Sequence, residues 1–357
     1  MTIKNIIYSA HHRLEQVANL PIKRSHVYEL IAAAFGFNTY ASLTNQAFLI
    51  QSKKSRPLEA KHMDLLQQRS EALGYRSILT EALTEVMKEH RISALSFSDL
   101  VAQLKNEDYL NEYDWESDDS TQLISPEVFH ALEAAAKSGN PLAHYAIALH
   151  HANSDESDED GISSDYWYKQ MQSGRELNGA EKEFALAYLQ QLTSQKKYQF
   201  HLREAGRLGS ELALLDLAEK FDDHAFFETG HRDVNTDPMR VADIARELNR
   251  SDDYRYWLTV AADAGNIDAM QELIKIHEKD DPIRCWTWIY LSKLLGKDLT
   301  QDRYYAIHED GSMYDDDIGG PLFADGEEGI NLPSLESEHD SLARANAEAL
   351  LKLIKTT

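Results

Sequence analysis

Four short segments of this sequence contain residue types and spacings that suit ligand chemistry. The first, GRELNGAE, begins at Gly174 and has the glycine spacing of a phosphate-binding loop. Such a loop needs a lysine to balance the phosphate charge, and Ala180 stands at that position. The second, DESDEDG, begins at Asp155 like the acidic part of a calcium loop, but Trp167 occupies the position of the bidentate glutamate. We therefore predict neither a nucleotide site nor a calcium site in these segments.

The other two segments hold cation ligands without a known metal motif. DDHAFFETGHRD combines two histidines with three aspartates, namely Asp222, Asp223, His224, His231 and Asp233. YDDDIGG places Asp315–Asp317 ahead of two glycines, and oxygen ligands of this kind suit a hard cation. Because neither spacing matches an established site, cation binding stays an alternative, and we predict no metal and no cofactor.

Motifs that would indicate an enzyme are absent from the sequence. It contains no His-Glu-x-x-His, no Gly-x-Ser-x-Gly and no dinucleotide-binding fingerprint. The single cysteine, Cys285, lies beside Trp286 in an apolar segment and is predicted to be a packed core thiol. We expect no catalytic residues, and an enzyme is the least favoured of three classes.

The composition indicates a folded protein with an uneven charge distribution. Of its 357 residues 43% are hydrophobic, and the net charge is −24. Residues 1–60, by contrast, carry seven basic and three acidic side chains. The acidic remainder would repel phosphates, so nucleic acid is a disfavoured partner. The basic segment nevertheless keeps a nucleic-acid-linked regulator as the alternative function.

Three features of the sequence predict a cytoplasmic protein. It has no run of 18 apolar residues that would span a membrane, and its start lacks the apolar core of a secretory signal. One cysteine cannot form an internal disulfide, which fits a reducing compartment.

Small residues recur at equivalent positions in four helical stretches. Three of them follow a glycine by four residues, and the fourth follows Gly174 by six. The four positions, called the anchors below, are Ala143, Ala180, Ala213 and Ala269. Because an upstream helix is predicted to end at each glycine, each unit is a helix pair. Spacings of 37, 33 and 56 residues indicate one helix–turn–helix period with an insertion before the last unit.

Two motifs carry a family resemblance. AADAGNIDAMQELIKIH, at residues 261–277, and GISSDYWYKQ, with Gly161, Asp165 and Trp167, resemble Sel-one-like repeats, which are relatives of the tetratricopeptide repeat. The resemblance covers roughly residues 125–300 and implies an α-solenoid whose concave face binds proteins. The sequence departs from the family pattern where alanine or isoleucine replaces a glycine, and where histidine replaces two of the four aromatic residues.

The chain is predicted to be all-α with four regions. Residues 1–50 form a basic helical segment, and residues 51–124 form a helical region with an acidic linker. Residues 125–300 form the repeat array, which Ser125 and Pro126 open. Residues 301–357 form an acidic loop and a capping helix.

The N-terminal segment reads as two helices, the second capped by Asn38. Its sequence SHVYELIAAAFGFNTYASL also resembles a short motif found at the ends of assorted bacterial proteins. A segment of 50 residues alone cannot bury much apolar surface, so four of its apolar side chains must pack against something else. They are Leu30, Ile31, Phe35 and Phe37. We expect the segment to dock on the array or on a second copy of the chain.

Three acids predict how the array meets its partner. Glu183, Asp216 and Glu272 each follow an anchor by three residues, about 130° from the packed stripe at 100° per residue. In the resembled family this helix lines the concave surface, so these acids would form an acidic stripe for a basic partner segment. Alternatively, they are simply solvated. The leading hypothesis is a non-catalytic protein-binding adaptor.

Overall fold

The structure is a computed structural model that describes residues 3–51, 60–75, 78–105, 124–152, 165–230, 234–277, 281–314 and 321–356. The described chain is mostly helical, as predicted, but it also contains two short antiparallel sheets. Its internal contacts divide it into an N-terminal unit, Met1–Leu217, and a C-terminal unit, Ala218–Thr357.

The N-terminal unit consists of helices and one two-stranded sheet. Its elements, of which the last runs across the division between the units, are α1 Ile3–Ala18, α2 Arg24–Ala34, α3 Tyr40–Gln46, β1 Ala47–Gln51, α4 Ala60–Ala72, α5 Ile78–Glu89, β2 Ile92–Ser96, α6 Phe97–Lys105, α7 Pro126–Lys137, α8 Pro141–Ala152, α9 Tyr166–Gln172, α10 Ala180–Arg207 and α11 Glu211–Phe221.

The C-terminal unit likewise consists of helices and one two-stranded sheet. They are α12 Ala225–Glu228, α13 Pro238–Glu247, α14 Ser251–Asp263, α15 Ile267–His277, α16 Pro282–Leu294, β3 Arg303–Ile307, β4 Phe323–Glu327 and α17 Ser337–Ile354. In the described part of the chain, no helix combines the length and the apolar character needed to cross a bilayer.

The N-terminal segment finds its cover in the residues that follow it. Leu30 and Ile31 are buried, and Phe35 and Phe37 pack against the same core, which contains apolar residues of α1, α2, α4 and α5. β1 pairs antiparallel with β2, so the domain boundary predicted after residue 50 falls inside a paired strand. Strand pairing and shared burial therefore join this segment to residues 60–96. It also contacts the first helix of the predicted array, and Asn45 accepts a hydrogen bond from Asn140.

Local signals placed several helix ends correctly. The Ser125 hydroxyl accepts from the amide of Val128 with Pro126 in the first turn, and Asp281 caps α16 in the same way. Gly139, Gly209 and Gly265 have positive φ and end helices before the next helix of each pair, as the repeat predicts. The predicted cap Asn38 was wrong by one residue, because the Thr39 hydroxyl accepts from Ser42 instead.

The anchors do not all behave alike. Ala143, Ala213 and Ala269 are fully buried, as predicted. Ala180 is exposed at the first position of α10, so its predicted place at a helix contact is wrong. α10 runs without interruption for 28 residues through the position where a helix pair was expected to turn. Residues 190–199 contain neither glycine nor proline, so nothing in this stretch ends the helix.

The C-terminal end contains the predicted helix. α17 packs on α16 through Ala343 and Ala347, which are fully buried. At the edge of this contact the Arg344 guanidinium lies 4.1 Å from the centre of the Tyr290 ring. The preceding acidic stretch was predicted to be only a loop, whereas the structure places β3 and β4 in it. β-favouring tyrosines at the start of β3 explain the difference.

Candidate functional site

The N-terminal unit contains a large cleft. Its volume is about 2200 Å³, and it is open to solvent. One wall consists of α3 and β1, and the opposite wall is one face of α7 together with the turn that follows it. Small-molecule sites usually measure roughly 300–1,000 Å³, so this cleft is large for a metabolite.

The wall formed by β1 presents a strand edge. All five residues of β1, Ala47–Gln51, line the cleft, whereas the residues of β2 do not. β1 pairs with β2 along one edge, and no further strand joins this sheet within the described ranges. No described strand pairs with the other edge of β1, and its last two residues, Ile50 and Gln51, are more exposed than the first three. We infer that this end of the edge can pair with an added strand.

The wall formed by α7 is built from small side chains. Ala131, Ala134, Ala135 and Ser138 follow one another at helical spacing and line the cleft. Small residues on this face let α7 approach β1 closely where the two elements are in contact. At one end Asn140 closes the space, because its Nδ2 donates to the carbonyl oxygen of Asn45 at 2.8 Å.

The charges along the cleft are mostly negative. Glu89 and Glu127 are exposed and line it together with Arg91. The pKa of Glu127 is held below its usual value, mainly by a hydrogen bond that its carboxylate accepts from its own backbone amide. A hydrogen bond from the Ser125 hydroxyl adds a smaller effect in the same direction. Glu127 therefore stays ionised at neutral pH, at the N-terminal end of α7 where a negative charge is favoured.

A second concentration of titratable groups lies where α8 meets α10. The Nδ1 atoms of His144 and His201 are 2.9 Å apart, and Nε2 of His144 lies 3.2 Å from the carbonyl oxygen of Ala136. A carbonyl only accepts, so neutral His144 carries its proton on Nε2 and accepts on Nδ1. His201 then donates from Nδ1, and the pair fixes one tautomer of each ring.

Burial keeps these histidines neutral. It is the main cause that lowers the pKa of His201 to about 4, with a smaller contribution from His144. Burial likewise lowers the pKa of the neighbouring His151 to about 4. Among the described residues, no group of three or more histidine, cysteine, aspartate or glutamate side chains has the geometry to hold a metal ion.

Asp216, predicted to face a groove, is instead buried. The Tyr145 hydroxyl donates to its Oδ2 at 2.5 Å, and Lys105 Nζ lies 3.5 Å from its Oδ1. The prediction from the sequence assumed that only one face of α11 packs against other helices. α6 and α8 supply Lys105 and Tyr145, so the helix is also covered on the side that was expected to face solvent.

The three predicted partner-binding acids lie in three different environments. Glu183 is exposed on α10, as expected. Glu272 accepts a hydrogen bond from the Tyr254 hydroxyl and lies 3.8 Å from Arg246 Nη1. With Asp216 buried, the acids do not form one uniform solvent-facing stripe.

The other sequence candidates are only partly described. Asp223 accepts from the amide of Ala225 at 2.9 Å and so caps a helix start near Asp222 and His224. Residues 231–233, with His231 and Asp233, residues 155–161 and Asp315–Asp317 lie outside the described residues. Cys285 is buried, as predicted.

Sequence reasoning missed the cleft because it missed β1. The signal was present as AFLIQ at 47–51 and ISALS at 92–96, two short runs that contain β-favouring residues. Each run adjoins a helix in the sequence and was absorbed into a helical prediction. The two N-terminal helices around a Gly-Phe turn also suggest a DNA-binding helix-turn-helix. Its second helix, α3, is YASLTNQ and contains neither lysine nor arginine.

Comparison of the chain with protein-family models, with curated proteins and with solved structures finds no match. The resemblance to Sel-one-like repeats therefore rests on the quoted motifs and stays a prediction.

Proposed function

We propose that this protein is a non-catalytic adaptor that binds an extended segment of a partner protein in the cleft between β1 and α7. The observation that carries the proposal is the strand edge of β1, which lines the cleft along its full length. Main-chain groups spaced along a strand are complementary to another extended main chain.

The lining supports a polypeptide as the occupant. The lining combines apolar side chains such as Leu43 and Phe48 with polar groups such as Thr44 and Gln51. An added strand projects alternate side chains toward opposite faces, so it can satisfy both kinds of surface. Glu89 and Glu127 favour a segment that also carries Lys or Arg.

The test uses two positions on one helix. Ala134 is exposed and lines the cleft, whereas Lys137, one turn later, is exposed and does not line it. A photo-crosslinking residue is placed at each position in turn, and the crosslinked partner peptide is sequenced from cells of the native host. The peptide found at position 134 is then synthesised, and its affinity for the purified protein is measured.

Ala134→Trp is expected to project a large ring into the cleft and weaken binding of this peptide at least ten-fold, while Lys137→Trp leaves the affinity unchanged. Equal affinity for both variants, or crosslinking of peptides at position 137 only, would show that the cleft is not the binding site. Circular dichroism of both variants checks that α7 is intact.

A further inference from the structure

The sheet in the C-terminal unit leaves aromatic side chains in solvent. β3 and β4 pair with each other, with Tyr305 opposite Asp325 and Ile307 opposite Phe323. Every residue of β4 is exposed, as are the first three of β3. Tyr305 is 47% exposed and Phe323 44% exposed. A two-stranded sheet has little stability of its own, so an uncovered apolar face on it indicates a contact surface.

The residues on one face of this sheet change from apolar at one end to charged at the other. Residues that pair across antiparallel strands project to the same face. Ile307 bridges to Met313 on its other side, so Met313, Ile307 and Phe323 form an apolar row. The next row is Tyr305 with Asp325, and the last is Arg303 with Glu327. We call these three rows the hairpin face.

The hairpin face is held in place rather than loosely attached. Glu327 accepts from Nζ of Lys275 at 3.0 Å and also from the Gln271 side chain, both on α15. Tyr305 donates from its hydroxyl to Oδ2 of Asp325 at 3.2 Å, which fixes the ring beside the carboxylate. A fixed ring and carboxylate lose little conformational entropy when a ligand binds.

The two segments that form the hairpin face carry more acidic than basic residues, although Lys275 of α15 pairs with Glu327. Within 301–314 and 321–330 the sequence has one basic residue, Arg303, and six acids, which are Asp302, Glu309, Asp310, Asp325, Glu327 and Glu328. This charge opposes contact with nucleic acid or an anionic membrane surface. It favours a ligand that brings positive charge together with apolar surface.

We propose that the hairpin face binds a polypeptide segment that carries Lys or Arg next to apolar side chains. The cation lies over the Tyr305 ring beside Asp325, where ring face and carboxylate both attract it. The neighbouring apolar side chain packs on the row of Met313, Ile307 and Phe323. This surface is separate from the cleft between β1 and α7 and does not depend on the function proposed for it.

The experiment measures fluorescence anisotropy of two labelled synthetic peptides with the full-length protein. One peptide alternates Arg and Leu, and the other, of equal length, alternates Glu and Leu. The variants are Asp325→Asn, which keeps the size and the acceptor oxygen, and the double variant Tyr305→Ser with Phe323→Ser. The control is Phe200→Ser, because Phe200 is 58% exposed on α10 of the other unit. Lys137→Trp, at an exposed position that does not line the cleft, serves as the second control. Ala134→Trp is measured in parallel, to show whether the peptide occupies the cleft instead.

We expect the Arg–Leu peptide to bind the wild type in a salt-sensitive way and the Glu–Leu peptide to bind at least ten-fold more weakly. The double variant should lose at least ten-fold in affinity, and Asp325→Asn several-fold, while both controls bind as the wild type does. Hydrogen exchange tests whether β3 and β4 are still paired in each variant. If they are not paired in the double variant, the affinity of Asp325→Asn decides the test.

Five outcomes would overturn the inference. The first four are equal binding of the two peptides, no binding of either, wild-type affinity in both hairpin variants, and a wild-type dimer that the double variant abolishes. The fourth would make a second copy of the chain the occupant. The fifth, loss of binding in Ala134→Trp alone, would move the peptide to the cleft, which refutes the hairpin face and leaves the proposed function standing.

Discussion

Tyr145 and Asp216 are joined by a 2.5 Å hydrogen bond in the interior of the N-terminal unit, where Tyr145 is fully buried and Asp216 is 5% exposed. They belong to α8 and α11, which are 71 residues apart at these positions. Lys105 of α6 lies beside the carboxylate, so three helices contribute to one polar cluster.

Asp216→Ala should therefore destabilise the protein, although Asp216 was predicted from the sequence to be a surface residue. The Tyr145 hydroxyl loses its acceptor in a buried site, and a loss of this kind costs roughly 1–3 kcal/mol. Glu183→Ala on the exposed side of α10 is the matched control, and surface changes of this type stay within about 0.5 kcal/mol. Urea denaturation of both variants measures the difference, and equal midpoints would contradict the burial of Asp216.

The pair of His144 and His201 should make stability depend on pH. Burial lowers the pKa of both rings, that of His201 to about 4, so the unfolded chain binds more protons than the folded chain below pH 6.5. The contribution of the two neutral histidines to the free energy of unfolding is therefore fully present above about pH 6.5, and it is lost as the pH falls toward 4. Lys197 also opposes protonation of His201, whereas Glu133 and Glu204 favour it.

His201→Gln should flatten this dependence, because the amide does not titrate in this range. His130→Gln is the control, since the His130 side chain is 86% exposed. Thermal midpoints between pH 7.5 and 4.5 provide the measurement. A slope for His201→Gln as steep as that of the control would show that the pair is not proton-linked.

Ala213→Leu should destabilise the protein by ~1–3 kcal/mol, because Ala213 is fully buried and a larger side chain overpacks the contact. Ala180→Leu should be nearly neutral, since Ala180 is exposed at the start of α10. Thermal unfolding of the two variants compares anchors that the repeat alignment treats as equivalent. Similar losses would favour the alignment over the described structure.

Gly326→Ala should disrupt the sheet formed by β3 and β4. Gly326 has φ of +139°, and a Cβ there would lie 1.9 Å from the carbonyl oxygen of Arg303, which cannot move aside as a side chain can. Gly311→Ala in the same hairpin adds only the strain of a positive φ, about 1 kcal/mol, because nothing lies near its Cβ. Hydrogen exchange in 303–307 should rise sharply in Gly326→Ala and little in Gly311→Ala. Equal protection in both would refute the close approach.

Local features of the fold could be predicted from the sequence. The cap at Ser125, the proline after it and the glycine that ends α7 each act within a few residues, so their effect is visible in a short stretch. Three buried anchors follow from helical spacing for the same reason. The exposed anchor Ala180 shows the limit, since alignment by small residues cannot tell whether a helix has a neighbour there.

Features that depend on distant residues could not be predicted. β1 becomes a strand because it pairs with residues 92–96, which lie 41 or more positions away, and its own five residues also suit a helix end. Asp216 is buried because Lys105 and Tyr145 come from other helices. Helical periodicity gives the direction of a side chain but not what occupies that direction.

The edge of β1 has a consequence for how the protein behaves at high concentration. Unpaired strand edges usually template aggregation when a flat edge of another molecule meets them. Here α7 stands opposite the edge, and the bond from Asn140 to Asn45 closes one end of the space. Because α7 and this bond cover part of the edge, we expect the edge to be less open to the sheet edge of another molecule than a bare strand edge is. The protein should then remain free of edge-to-edge assembly at high concentration.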